Sequence, residues 1–311
     1  MSLSMILGLG QTALELALFN ALTVLALFLS YSMLNVCDLS TDGCYALGAA
    51  VGAVVAIAGH PWLSIPAAMG AGMLSGLVTA TLQTRMGVNS LLAGIIVNTG
   101  LYSVNIWIMG GSSLLNMNKT ETVFTRLKAA LKDTPFAGQF SLVIGLVAVA
   151  AVIAFLSFFL RTRLGLAIRA TGDNPDMVRS SSINPVFTTT VGLCVSNAFT
   201  ALSGCLLAQS QKSVDVNIGS GMVTVALASL LIGGVFLGRR SIPLRAVGAV
   251  LGAFVFRLVY TVALRFNLPA FMLKLISSVI VVIAISGPYL KKQFPLVKRQ
   301  LAAKFGKAGM R

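Results

Sequence analysis

Acidic residues are nearly missing from this chain: eight Asp and Glu stand against 23 Lys and Arg in 311 residues, and charged residues of all kinds make up only 10%. A soluble domain of this length cannot cover its surface with so few charges, which excludes that class. There is a single histidine, His60, in the stretch Gly59-His60-Pro61-Trp62, with no Cys, Asp or Glu beside it, so a metal site has no ligand set to draw on. The four cysteines, Cys37, Cys44, Cys194 and Cys205, form no Cys-x-x-Cys pair and have apolar flanks, as buried free thiols do. Alternating ten-residue segments are lacking, which excludes a membrane barrel. Residues 1–11 carry no Lys or Arg, and the first apolar run is too long for a cleaved signal. No paired acids or Ser/His set point to an enzyme. The stretch 233–240 has the glycine spacing of a phosphate loop, but Arg239 stands where Lys is required and Arg240 where Ser or Thr would hold magnesium.

What the chain does have is apolar length. Hydrophobic residues make up 57%, and mean hydropathy is +0.91. The reading is an all-α polytopic membrane protein, because lipid leaves a helix as the way to satisfy the backbone. Apolar runs at 12–36, 43–59, 63–83, 90–110, 139–160, 186–208, 222–238, 246–265 and 270–288 predict about nine spans, within roughly eight to ten. Residues 37–59 carry a second possibility, a re-entrant segment interrupted at 38–43. The formal charge of +15 collects in 161–185, in Arg239, Arg240 and Arg245, and in the tail 291–311. Positive loops stay inside, so these segments are expected in the cytoplasm, with the C-terminus there and the N-terminus outside. Attraction of the tail to anionic lipid adds to this. No groove-reading motif accompanies the charge, so nucleic acid is not an expected partner. The basic residues of 111–138 break the rule, and residues 122–132 are expected as an amphipathic helix lying on the headgroups.

Residues 70–92 resemble residues 248–272, with an Arg and a turn closing each copy. The two copies run in opposite directions, which predicts an inverted 4+1+4 repeat: 12–110, a linking span at 139–160, and 186–288, within a permease domain of 1–290. Inverted repeats are a transporter signature.

The polar insert 161–185 is conspicuous among these runs. Asp173-Asn174-Pro175 reads as the capped start of a short helix near 175–182. Residues 164–175, Leu-Gly-Leu-Ala-Ile-Arg-Ala-Thr-Gly-Asp-Asn-Pro, resemble the cytoplasmic loop of bacterial ABC importer permeases of the branched-chain amino acid and ribose-type group. Asp38-Leu39-Ser40 with Gly43, Gly233-Gly234 with Gly248-Ala249, and the segments 91–95 and 99–105 are similar to further motifs of that group. The last two look most like the branch assigned to tryptophan or tyrosine uptake. Met272-Leu273-Lys274 departs from it, where that branch often has Asp-Leu-Lys.

The resemblance implies a permease in the bacterial inner membrane that is not itself an enzyme. It would pair with a second permease subunit, such as another copy of itself, seat an ATP-binding subunit inside, and receive solute from an extracytoplasmic binding protein. ATP and magnesium would belong to the ATPase, with no cofactor in this chain. Arg169, Asp173, Asn174, Pro175, Asp176 and Arg179 would carry the coupling. Intramembrane polar residues are costly and mark candidate pathways. Asp38, Asn98, Tyr102, Asn105, Ser196, Asn197 and Arg257 are the candidates here, with interhelical hydrogen bonding the simpler role for most. Asp38 reads equally as a gate or as the cap of a broken helix, and Arg257 as a solute contact or as a partner of Glu15. The alternative to an ABC permease is a secondary transporter or channel. That reading lacks the midplane acids such proteins use, since only Glu15 is expected well inside a span.

Overall fold

The computed structural model describes residues 3–130, 140–237 and 241–265, with isolated positions between 275 and 286. The expected span 270–288, the tail 291–311, Arg239, Arg240 and residues 131–138 of the 111–138 segment lie outside, apart from those isolated positions.

Eleven helices follow one another in the described residues: α1 Leu3–Leu27, α2 Thr41–Ile57, α3 Pro61–Thr84, α4 Ser90–Ile108, α5 Val123–Ala130, α6 Phe140–Phe159, α7 Arg163–Asp173, α8 Pro175–Ser180, α9 Pro185–Gln211, α10 Met222–Leu237 and α11 Ile242–Arg265. Six of the helical stretches are long and apolar enough to cross a membrane, with α2 and α10 shorter and apolar. Eight of the nine expected spans coincide with these elements, and the ninth, 270–288, falls outside the described residues apart from the isolated positions. A two-stranded antiparallel ribbon, which the sequence did not announce, pairs β1 Leu114–Asn116 with β2 Ser213–Asp215.

α9 is the centre. Every residue from Ser196 to Gln209 is buried, and a helix apolar and covered all round belongs in the interior. Ser196 Oγ donates to the Ala26 carbonyl at 2.8 Å and Ser203 Oγ to that of Phe19 at 2.6 Å, so α1 runs antiparallel to α9. α2 runs parallel to α9, with Gly48 against the Ala201 backbone and Gly52 against Cys205. α3 runs antiparallel, with Gly72 against Asn197 and Gly76 against Leu193. Small residues let these backbones approach, because in lipid there is little hydrophobic drive between helices and van der Waals contact must supply the attraction.

The contacts among six of these helices are symmetric under one exchange. Exchanging α1 with α9, α2 with α10 and α3 with α11 turns the pair α1–α11 into α9–α3, α1–α10 into α9–α2, and α2–α3 into α10–α11, and all six pairs are packed.

α5 departs from expectation. Its Val123 and Phe124 are buried, Phe124 stacks edge-on against Phe19 with centroids 5.7 Å apart, and the Val123 N–H donates to Gln209 Oε1 at 3.0 Å. The helix therefore caps the protein at the ribbon end, with Arg126 turned outward to pair with Glu121 at 2.9 Å. The apolar face sought protein, where Gln209 also offered an acceptor that headgroups would not have placed.

Candidate functional site

α1 does not pass smoothly into α2. Its last turn widens into a π-helix at Phe28–Met33, Asn35 takes the left-handed conformation with φ 57°, and Leu34–Ser40 is non-helical. Such widened turns concentrate at functional sites. Leu34 lies against Gly192, after which the chain doubles back to Asp38, opposite Asn197. Asn197 is roughly 18 Å along α9, a helix roughly 40 Å long at 1.5 Å per residue. Asp38 thus stands near mid-depth and not at a span end. α2 begins there, as a broken helix does.

Asp38 is 1% exposed. Its Oδ1 accepts from the Ser40 N–H at 2.8 Å and the Ser40 hydroxyl at 2.6 Å, and its Oδ2 accepts from Asn197 Nδ2 at 2.7 Å. Thr41 Oγ1 donates to the Asp38 carbonyl at 2.8 Å, and Thr79 Oγ1 to Ser40 Oγ at 3.2 Å. One carboxylate therefore braces the turn that leads into α2 and ties it to α9. Replacing Asp38 with Ala leaves these donors unpaired and is expected to cost about 3 kcal/mol. Asp38→Asn is expected to cost less, because the Asn197 side chain has an unpaired Oδ1 to turn towards the new amide. Thermal midpoints in detergent should fall in the order wild type, Asn, Ala; an Ala variant equal to wild type refutes the assignment.

α10 also begins inside the protein, and it starts against the beginning of α2. Asp42, in the first turn of α2, accepts from the Gly221 N–H at Oδ2 (2.9 Å) and from the Val223 N–H at Oδ1 (2.8 Å). A helix start carries four N–H groups without intrahelical partners, and a carboxylate from the opposing helix satisfies two of them. Beside this junction lies a cavity of about 450 Å³ lined by α2, α4 and the 216–220 turn.

Of the expected pathway residues, the cavity brings together Asn98, Tyr102 and Asn105, and Thr99 beside them. The others lie elsewhere. Asp38 and Asn197 form the tie, Ser196 bonds to α1, and the Arg257 guanidinium lies 5.0 Å over the Tyr260 ring. Glu15 accepts from Gln11 Nε2 at 3.2 Å, and no ion pair joins it to Arg257 among the described residues. Sequence reasoning missed Asp42, Asn217 and Ser220. Asp42 had a signal, an acid directly before the 43–59 apolar run; Asn217 and Ser220 had none.

The polar insert forms two helices. Thr162 caps α7 and Asn174 caps α8, its Oδ1 accepting from the Asp176 and Met177 N–H groups at 3.1 Å each. Pro175 is the first helical residue of α8. Asp173, Asn174, Pro175, Asp176 and Arg179 are exposed, Arg169 half-buried. Val178 and Ile168 anchor the pair inward, while Met177 stands 63% exposed between Asp176 and Arg179. Gly172 of α7 lies on the Met33 carbonyl, and Thr171 and Thr188 share a hydroxyl hydrogen bond of 2.8 Å that ties α7 to α9. Gly233, from the glycine pattern of a phosphate loop, sits within α10 at its crossing with Gly248 of α11.

A family described as branched-chain amino acid transport system / permease component matches residues 12–285. The chain is 31% identical over 268 residues to a tyrosine transport system permease protein of Clostridioides difficile, with 86% of each chain covered. It is 29% identical to a guanosine ABC transporter permease of Bacillus subtilis over 62% of this chain and 61% of that one. It is 27% identical to a fructose import permease of Bifidobacterium longum over 82% and 73% respectively. No solved structure matches the chain.

Proposed function

Because this chain belongs to that permease family and is a multi-pass membrane protein, we propose that it forms the membrane path of an ATP-driven importer for an amino acid or similar small organic solute. Family membership favours this reading over a secondary transporter or channel. Hydrolysis falls to a separate ATPase seated on α7–α8, with a solute-binding protein at the ribbon end and a second copy of the chain completing the pathway.

The observation that carries the proposal is the placement of α8. It is a capped, exposed helix whose carrier, α7, rests on the π-turn leading directly to the Asp38–Asn197 tie. Movement of a seated ATPase reaches the middle of the membrane through Gly172, the left-handed Asn35 and the non-helical Leu34–Ser40 segment, as a rigid-body displacement. The negative side chain of Asp176 favours the α8 N-terminus, and Arg169 and Arg179 are available to acids on the partner.

Charge supports one orientation: Arg161, Arg163, Arg169 and Arg179 lie on or beside α7–α8, and Arg85 follows α3 at the same end of the bundle, which favours that end as the cytoplasmic one. In a cysteine-free background, Ser213→Cys and Thr120→Cys should react with an impermeant maleimide in intact cells. Ser181→Cys and Ser241→Cys should react only after permeabilisation. Labelling at position 181 in intact cells overturns the orientation, and a chain that copurifies with no ATPase overturns the proposal.

A further inference from the structure

We infer that the cavity at the meeting of α2 and α10 is a solute station that holds a primary ammonium group, with Asn105 Oδ1 and the Asp42 carboxylate as its acceptors. The inference rests on the permease reading and adds the chemical class of what passes.

Asn105 carries the argument. It lines the cavity and is 1% exposed, and its Nδ2 donates to the Gly43 carbonyl at 3.2 Å. That bond settles which end of the amide is which, because only the NH₂ can face a carbonyl oxygen. Its Oδ1 is left without a hydrogen-bond partner. A buried acceptor left unpaired costs roughly 1–3 kcal/mol, a cost that a donor on a passing solute removes.

The remaining lining points the same way. The Asp42 carboxylate can only accept, and after Gly221 and Val223 each oxygen still has lone-pair capacity. The Thr99 hydroxyl spends its proton on the Ile95 carbonyl at 2.9 Å, so what it can still offer is a lone pair. Asn98 Oδ1 stands 2.7 Å from where a Cβ on Gly43 would be, so the glycine leaves room for that oxygen at the α2–α4 contact. Among the described residues, no Lys, Arg or His lines the cavity, and the formal charge they place on its wall is negative. A carboxylate and an unpaired amide oxygen, with no basic side chain beside them among the described residues, favour a cation with several N–H donors. Tyr102, 48% exposed, presents an aromatic ring beside them, a surface to which ammonium groups are also attracted. Ser103 and Ser220 can donate to a carboxylate on the same molecule. The volume, about 450 Å³, is within the range of small-molecule sites. The Asp38–Asn197 tie lies beyond the start of α2, where it separates this station from the α7–α8 end.

The test uses purified full-length chain in detergent and the shift of its thermal midpoint with millimolar ligand. Probes are each standard amino acid, its N-acetyl derivative, fructose and guanosine. At least one amino acid is expected to raise the midpoint while its N-acetyl derivative does not. Asn105→Ala should raise the half-saturating concentration about tenfold, the worth of one hydrogen bond; Asp42→Asn should raise it at least as much. If Asn105→Ala fails to fold, Asp42→Asn and Tyr102→Ser carry the test. Stabilisation by fructose or guanosine with every amino acid silent overturns the inference, as does equal stabilisation by the N-acetyl forms, unaltered half-saturation in the folded variants, or no shift with any probe. Copurification with an ATPase is scored separately, so failure of the station and failure of the permease reading are told apart.

Discussion

Deleting residues 174–180 should abolish uptake while the protein still inserts and elutes as a single species. Six of those seven residues are exposed, Val178 being the exception, so the bundle loses little of its interior. The double change Asp176→Arg with Met177→Asp tests the same surface more gently, since exposed substitutions usually stay within about 0.5 kcal/mol of wild-type stability. It reverses the charge favoured at the α8 N-terminus and puts a carboxylate on the most exposed apolar side chain of α8. Uptake should fall by at least about tenfold, which corresponds to about 1.4 kcal/mol of lost docking, and the ATPase should no longer copurify. Gly172→Leu separates docking from transmission. It leaves α8 untouched but drives a side chain into the Met33 carbonyl, so the ATPase should still copurify while its hydrolysis no longer follows solute. Wild-type uptake in the deletion would sink the coupling role.

A second large effect is expected at the α2–α9 crossing. Gly204→Val should leave little folded protein, because a Cβ there meets the Tyr45 carbonyl oxygen, and Gly48 meets the Ala201 backbone from the opposite side. Overpacking costs typically 1–3 kcal/mol and more where nothing can yield, and these neighbours are backbone atoms inside helices. Relief requires α2 and α9 to part. That strains the Asn197–Asp38 bond and the 3.3 Å bond from Cys44 Sγ to the Asn197 carbonyl. Gly70→Val is the control: its Cβ meets nothing within 4 Å, so expression and thermal midpoint should stay near wild type. Equal behaviour of the two variants would show that the close crossing is not what holds the bundle.

The lipid environment made the spans legible in the sequence, since it demands long apolar helices and leaves Arg to the ends. The α8 cap was legible for a different reason: Asn174 bonds to Asp176 and Met177, two and three residues away, and a local bond leaves a local signature. Asn98, Tyr102 and Asn105 were picked out by helical spacing and do share one cavity. What spacing could not tell is which polar residues would meet across the bundle. Asp38 pairs with Asn197 over 159 positions, and Asp42 caps a helix start 179 positions away. Helices such as α2, α9 and α10 are apolar on the faces that meet protein and on those that meet lipid, so no amphipathic stripe says which side turns inward. The composition and the length of the apolar runs determined that this chain crosses a membrane many times. Only the tertiary structure decided that two of its helices begin inside the protein and meet at their N-termini, because that meeting depends on which small residues let which backbones touch.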